Sequence, residues 1–401
     1  MPPHAPVDPL TGLSAARFGV YVHFPYCLSK CPYCDFASIA AKQVPEARYG
    51  AAVLAELGAR VEQFGVAGRR VDAVFLGGGT PSLWAPRHVE SVLSGIARTL
   101  SLGPDAEVTL EANPGASDAE RFAGYRSAGV NRLSVGVQSF HPATLAFLGR
   151  AHDGAAAERA FRAARAAGFE NISLDFIYGV PAQTVEDARA DAQRAAAWGP
   201  EHLSAYALTL EADALAEEVP LARQLARGEV VLPPEEDVVA MQRAIADAYA
   251  AAGLERYEIS NYAKPGFHSR HNALYWTGGE YLAVGVGATG SVSSPAGTAR
   301  YSNHRSAERY FLDVEAGRLP EAQCEPLGLR ELFSERLAMG LRLVQGIDLR
   351  QVCAVFGEPW EARAAKAQTL VERGLARWQG PRLALTPSGA DLHSAVSAAL
   401  I

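Results

Sequence analysis

The stretch His23–Phe36, HFPYCLSKCPYCDF, sets Cys27, Cys31 and Cys34 in a C-x3-C-x2-C spacing directly behind the β-rich run GVYVHF (19–24). Thiolates are preferred ligands of iron–sulfur clusters, and a compact loop can aim three of them at three corners of one cube. Three protein ligands would leave the fourth iron of a [4Fe–4S] cluster open to a chelating molecule with an amino and a carboxylate group. Structural zinc is the competing chemistry, although zinc normally closes a tetrahedron with four ligands. No fourth cysteine follows locally, and His23, near in sequence, falls within the run that reads as strand. Cys324 and Cys353 stand alone and read as buried small hydrophobes.

Outward from this loop, short apolar runs recur: VDAVFLGG (71–78), EVTLEAN (107–113), RLSVGVQS (132–139), NISLDFIYG (171–179) and HLSAYALTL (202–210). Between them lie Ala/Arg/Glu-rich stretches with apolar residues near helical spacing, at 47–64, 86–100, 118–128, 153–167 and 185–198. Strand and helix in alternation indicate βαβ crossovers and a parallel sheet. Six such units are fewer than a closed barrel needs, so the spacing predicts an α/β fold built on an open, partial (β/α)6 barrel over 18–213, preceded by an N-terminal extension, 1–17. Chemistry is then expected at the C-terminal strand ends, where GGGTP, EANP and QS stand. The pattern changes near residue 213, giving an extension over 214–324. Over 325–401 three helices precede a short hairpin around ARWQGPRLALT, the layout of a helical, winged-helix-like module.

With 49% hydrophobic and 20% charged residues, 401 residues are enough for two or three packed units and give no case for general disorder. A net charge of −7 disfavours non-specific binding to nucleic acid or an anionic membrane. Neither a signal peptide nor a run of 18 apolar residues stands out, so a cytoplasmic protein is expected, meeting membranes only through a partner.

These residues resemble the radical S-adenosylmethionine superfamily from about Tyr21 to Tyr281. The resemblance is closest to the group containing oxygen-independent coproporphyrinogen III oxidase and the HemW-type heme chaperones. It implies a [4Fe–4S] cluster on Cys27, Cys31 and Cys34, with S-adenosylmethionine on the open iron, either for cleavage of its C–S bond by an electron from the cluster or as part of a ligand-sensing scaffold. GGGTP (77–81) is similar to the loop that meets the methionine amino group, which assigns Gly77, Gly78, Gly79 and Thr80 to the cofactor. Glu111 of EANP, Gln138 of GVQSF, Arg150 of LGRAH and Asp175 of DFIYGVP match positions that hold its ribose and carboxylate, and Tyr21 one near the adenine or cluster.

Two features separate the relatives. The oxidases carry another cysteine two places after the third and a longer arm ahead of the cysteines; here that place is Phe36, as in the heme-chaperone group, and 26 residues precede Cys27. HNALYW (271–276) matches the H-N-x-x-Y-W motif of the chaperone group. The resemblance thus implies heme as cargo, apo-hemoproteins, respiratory ones among them, as acceptors, and His271 as a heme ligand. A neutral imidazole suits heme iron, and Arg270 could pair with a propionate. His268 would share a face with His271 only if the stretch is helical. The alternative is oxidative decarboxylation of coproporphyrinogen III to protoporphyrinogen IX.

Overall fold

The computed structural model describes residues 17–115, 119–210 and 219–401. Most of the expected N-terminal extension and the expected boundary at 213 lie outside the described residues. Six strands stand side by side in sequence order: β1 (Phe18–Phe24), β2 (Arg70–Gly78), β3 (Ser101–Ala112), β4 (Arg132–Gln138), β5 (Ile172–Tyr178) and β6 (His202–Ala207). Every neighbouring pair is parallel. Each crossover carries a helix: α1 (Glu46–Phe64), α2 (Pro86–Thr99), α3 (Ala119–Ser127), α4 (Gly154–Ala166) and α5 (Val185–Ala197). Helices cover this sheet, so a strand such as β4 is buried along almost its whole length rather than alternately. Local chemistry sets the helix ends: Pro86 opens α2, Thr184 and Asp187 form a capping box on α5, and Gly65 closes α1 in the left-handed region.

Among the described residues the sheet runs beyond the six expected strands to twelve in one open row. Past β6 come antiparallel β7 (Asn261–Ala263) and the short strand Glu255–Arg256. On the other side β8 (Glu280–Val284) lies parallel to β1, followed by antiparallel β9 (Thr289–Ser294), β10 (Gly297–Asn303) and β11 (Glu321–Leu327). The Gly/Ser-rich GVGATGSVSS conceals β9, because glycine and serine carry little intrinsic strand signal and pairing on both sides decides the outcome. A buried network pins this added half to α1. Glu56 accepts from Gly285 N (2.8 Å), Asn303 Nδ2 (2.6 Å) and Tyr310 Oη (2.8 Å), while Arg60 donates to Asn303 Oδ1 (2.8 Å) and to Glu321.

Between β6 and β7, α6 (Glu235–Ala251) precedes the sheet's antiparallel edge, and between β7 and β8, α7 (Arg270–Thr277) carries HNALYW. Ser269 caps α7, and Glu107 Oε1 accepts from the N–H groups of Arg270 (3.0 Å) and His271 (3.2 Å). A carboxylate on these orphan donors fixes the helix start against β3.

The C-terminal part has a separate apolar core from Phe333 to Leu400. Its order is α8 (Leu329–Gly340), β12 (Ile347–Asp348), α9 (Leu349–Phe356), α10 (Trp360–Glu372), β13 (Ala376–Gln379), β14 (Arg382–Leu385) and α11 (His393–Leu400), which follows the winged-helix pattern. Cys353 is buried there as expected, whereas Cys324 is exposed because β11 is the sheet's edge strand. No helix among the described residues is long and apolar enough to cross a membrane.

Candidate cluster and cofactor site

Cys27, Cys31 and Cys34 are half-buried along a cavity of about 630 Å³ at the C-terminal ends of the strands. Each sulfur faces a donor from a different segment. Thr80 Oγ1 lies 3.5 Å from Cys27 Sγ, Arg150 Nη1 3.6 Å from Cys31 Sγ, and Ser38 Oγ 3.8 Å from Cys34 Sγ. Arg150 Nη2 also donates to Asn113 Oδ1 (2.5 Å) and the Gly136 carbonyl (3.0 Å), while Asn113 Nδ2 donates to Thr80 Oγ1 (2.9 Å). A continuous chain, Cys31–Arg150–Asn113–Thr80–Cys27, therefore ties the cysteine loop to the ends of β2, β3 and β4. Burial pushes the Cys27 and Cys34 thiols up, against the hydrogen bonds that favour their thiolates. Three such sulfurs, each with a donor and an open cavity beyond, fit an iron–sulfur cube, whose irons would supply the compensating positive charge. Among the described residues, no group of three or more His, Cys, Asp and Glu side chains is arranged to hold a single metal ion, and a cluster spreads its corners more widely.

The three glycines answer to the protein's own packing as well as to a ligand. A Cβ on Gly77 would lie 2.6 Å from the Phe75 ring, and one on Gly79 would lie 2.7–2.8 Å from the Pro25 and Tyr26 backbone. Gly78 has φ +110°, and its Cβ would stand 2.4 Å from the His23 ring. His23 cannot easily give way: buried, it bonds to Tyr21 Oη and the Ala37 carbonyl, each at 2.9 Å. It thus holds the far end of the cysteine loop. Burial lowers its pKa to about 4, leaving it neutral.

Glu111, Gln138 and Asp175 line this cavity and an adjoining one of about 550 Å³, as bounded by the described residues. Glu111 Oε2 accepts from Gly78 N at 2.9 Å; burial, with the Asp175 charge adding to it, pushes the carboxyl up to about 8. Asp175 is raised by burial too, although Ser134 and Ser173 donate to it at 2.7 and 3.1 Å. Gln138 ends β4 with φ +66° where the register to β5 shifts, an uncommon conformation for a side-chain-bearing residue that re-aims it at the cavities. Phe36 lines both cavities and is 58% exposed at their mouth.

Gly78, Gly79, Thr80, Glu111, Gln138, Arg150 and Asp175 thus meet the three cysteines around one cavity. Gly77 and Tyr21 line neither cavity; Tyr21 stacks on Phe75 and His271 behind the wall. His271 likewise departs from the expectation of an accessible heme ligand. It is 2% exposed, Nε2 bonds to Tyr275 Oη at 2.9 Å, and Phe75 stacks on the ring at 4.9 Å. Burial lowers its pKa to about 3. Helix α7 turns this side of the motif inward and presents Asn272 to the second cavity instead. His268 precedes the helix and stacks on Tyr257, so it shares no helical face with His271, and Arg270 donates to the Asp105 carbonyl.

Residues 21–195 match the radical SAM superfamily and residues 327–392 the HemN C-terminal domain. The chain is 37% identical to the heme chaperone HemW of Mycobacterium tuberculosis, over 99% of this chain and 98% of that one. It belongs to the HemW family. It is also 39% identical to the heme chaperone HemW of Escherichia coli over 80% of this chain and 82% of that one. The mouse mitochondrial radical S-adenosyl methionine domain-containing protein 1 is 35% identical over 92% and 85%. Among solved structures, coproporphyrinogen III oxidase (HemN) from E. coli superposes with a TM-score of 0.79 at 20% identity, covering 96% of this chain and 90% of that one; the fold is shared. Membership of the superfamily implies a [4Fe–4S] cluster and S-adenosylmethionine.

For this HemW-family chain, sequence reasoning missed three site residues. Asn113 stands inside the quoted EANP and His152 inside LGRAH, so both signals were present. Arg132 opens RLSVGVQ, yet a basic residue at a strand start carries no mark of the buried place it takes beside the second cavity.

Proposed function

We propose that this protein is a cytoplasmic heme chaperone that binds heme and passes it to apo-hemoproteins, respiratory ones among them. The observation that carries this reading is similarity to a heme chaperone along almost the whole of both chains. Phe36 at the mouth supports it, because the oxidase group has a cysteine at the matching place. The apolar faces of Phe36, Phe75 and Ile177 give the second cavity a wall suited to a flat macrocycle. A separate apolar core supports reading 325–401 as a C-terminal module, and one continuous core joins 18–213 and 214–324, read as barrel and its extension.

In this reading Cys27, Cys31 and Cys34 hold the cluster, and Gly78, Gly79, Thr80, Glu111, Gln138, Arg150 and Asp175 hold S-adenosylmethionine. When bound, the cluster would supply a low-potential electron to the cofactor held beside it. Arg150 and Thr80 orient Cys31 and Cys27, and Asn113 locks the two together. Glu111 and Asp175, aimed by Gly78 N–H and by the Ser134 and Ser173 hydroxyls, offer carboxyl oxygens to the ribose hydroxyls. The test is anaerobic transfer from heme-loaded protein to an apo-hemoprotein, read as growth of the acceptor's Soret band. Transfer no faster than from free hemin, or conversion of coproporphyrinogen III to protoporphyrinogen, overturns the reading.

A further inference from the structure

Arg132 is the most unusual charge in the barrel. It opens β4, is 2% exposed, and borders the second cavity, yet its buried Nε has no hydrogen-bond partner. Among the described residues it forms no ion pair, although Glu111 and Asp175 line the same cavity. Glu111 and Asp175 act on it through space, and its field helps keep His202 and His271 neutral. Burying a guanidinium is costly unless its N–H groups find hydrogen-bond partners, and Nε has none among the described residues. Asn272 and Ser204 line the same cavity, as do the carboxyls of Glu111 and Asp175 and the apolar side chains of Phe36, Phe75 and Ile177. It therefore offers a guanidinium and two neutral polar groups to an acidic group, alongside the two carboxyls, and apolar faces to the body that carries it.

We propose that Arg132 is a ligand-binding residue that receives a carboxylate of the porphyrin cargo, a propionate, with Asn272 lining the same cavity. The H-N-x-x-Y-W motif then reaches the cargo through its asparagine, while His271 braces α7 from inside. This rests on the heme-chaperone reading. A planar guanidinium can give a carboxylate two parallel hydrogen bonds, which an ammonium cannot, and the low-dielectric surroundings strengthen them.

The test compares hemin with hemin dimethyl ester, whose propionates are uncharged, on the full-length, anaerobically reconstituted protein. Wild type is expected to prefer hemin by about tenfold or more, from one charge-assisted pair. Arg132→Met should lose that preference while binding the ester about as well as wild type does. Arg132→Lys should keep part of it, and supplies the comparison if the methionine variant does not fold. Wild-type preference in either variant overturns the proposal and leaves the chaperone reading standing. Failure of wild type to bind either compound overturns both. Loss of S-adenosylmethionine affinity in Arg132→Met with hemin preference intact assigns the cation to the cofactor's carboxylate, and also overturns the proposal.

Discussion

Replacing Gly78 by alanine tests the glycine loop most directly. The φ of +110° is one that L side chains rarely adopt, and holding a residue in such a region costs about 1–3 kcal/mol. The new methyl would also lie 2.4, 2.6 and 2.7 Å from three atoms of the His23 ring. That ring is fixed at both nitrogens, so relief requires moving either β1 or the cysteine loop, adding about 1–3 kcal/mol of overpacking. Together the penalty is about 2–6 kcal/mol, a large share of the about 5–15 kcal/mol that stabilises a typical domain. The assay is anaerobic urea denaturation, with iron and sulfide per chain measured after reconstitution. Gly78→Ala should lower the midpoint and leave less cluster. Gly58→Ala, in α1 where a Cβ meets nothing within 4 Å, should match wild type or exceed it by up to about 1 kcal/mol. Measured against His23→Ala alone, adding Gly78→Ala should show only the dihedral part of the penalty, the contact part being gone. A Gly78→Ala protein with the wild-type midpoint and a full cluster would refute the reasoning.

Arg150→Met removes donors from Cys31 Sγ, Asn113 and the Gly136 carbonyl at once, so cluster content measured as iron and sulfide should fall. Arg150→Lys should restore it only in part, since one ammonium cannot span three acceptors, and equal cluster content in all three proteins would count against this network. Glu111 gives a pH dependence: its carboxyl, pushed up to about 8, binds more protons folded than unfolded, so cofactor-free stability falls as pH rises from the usual carboxylate range through about 8. Glu111→Gln removes that slope; its urea midpoint should exceed wild type at about pH 8.5 and converge with it near about pH 5, whereas parallel curves would show that the carboxyl ionises normally. His271→Ala should cost about 2–4 kcal/mol in the heme-free protein, because Tyr275 Oη loses its partner and Phe75 its stacking face. Unchanged heme-free stability would contradict the buried bracing role.

The residue patterns by themselves determined much of the scaffold. Six apolar runs and five helical intervals lie within a few residues of β1–β6 and α1–α5, because a strand buried on both faces and a helix with one apolar face each leave a pattern in the chain. The cysteine spacing and the motif sequence GGGTP, EANP, GVQSF and LGRAH likewise placed the cluster cavity, since strand ends bring those short segments together. Tertiary structure alone decided the rest. Strand β8 pairs beside β1 across more than 250 residues, and pairing at that distance has no local signal. Gln138 takes its positive φ from a register shift between two strands. His271 and Asn272 are adjacent in sequence, yet the rotation of α7, fixed by Glu107 and Ser269, turns one into the interior and the other to the cavity. Arg132 carries its charge into the barrel because β4 places it there. Spacing records which groups are available; which of them face one another depends on helix rotation, strand register and long-range packing, and these are set by the whole fold.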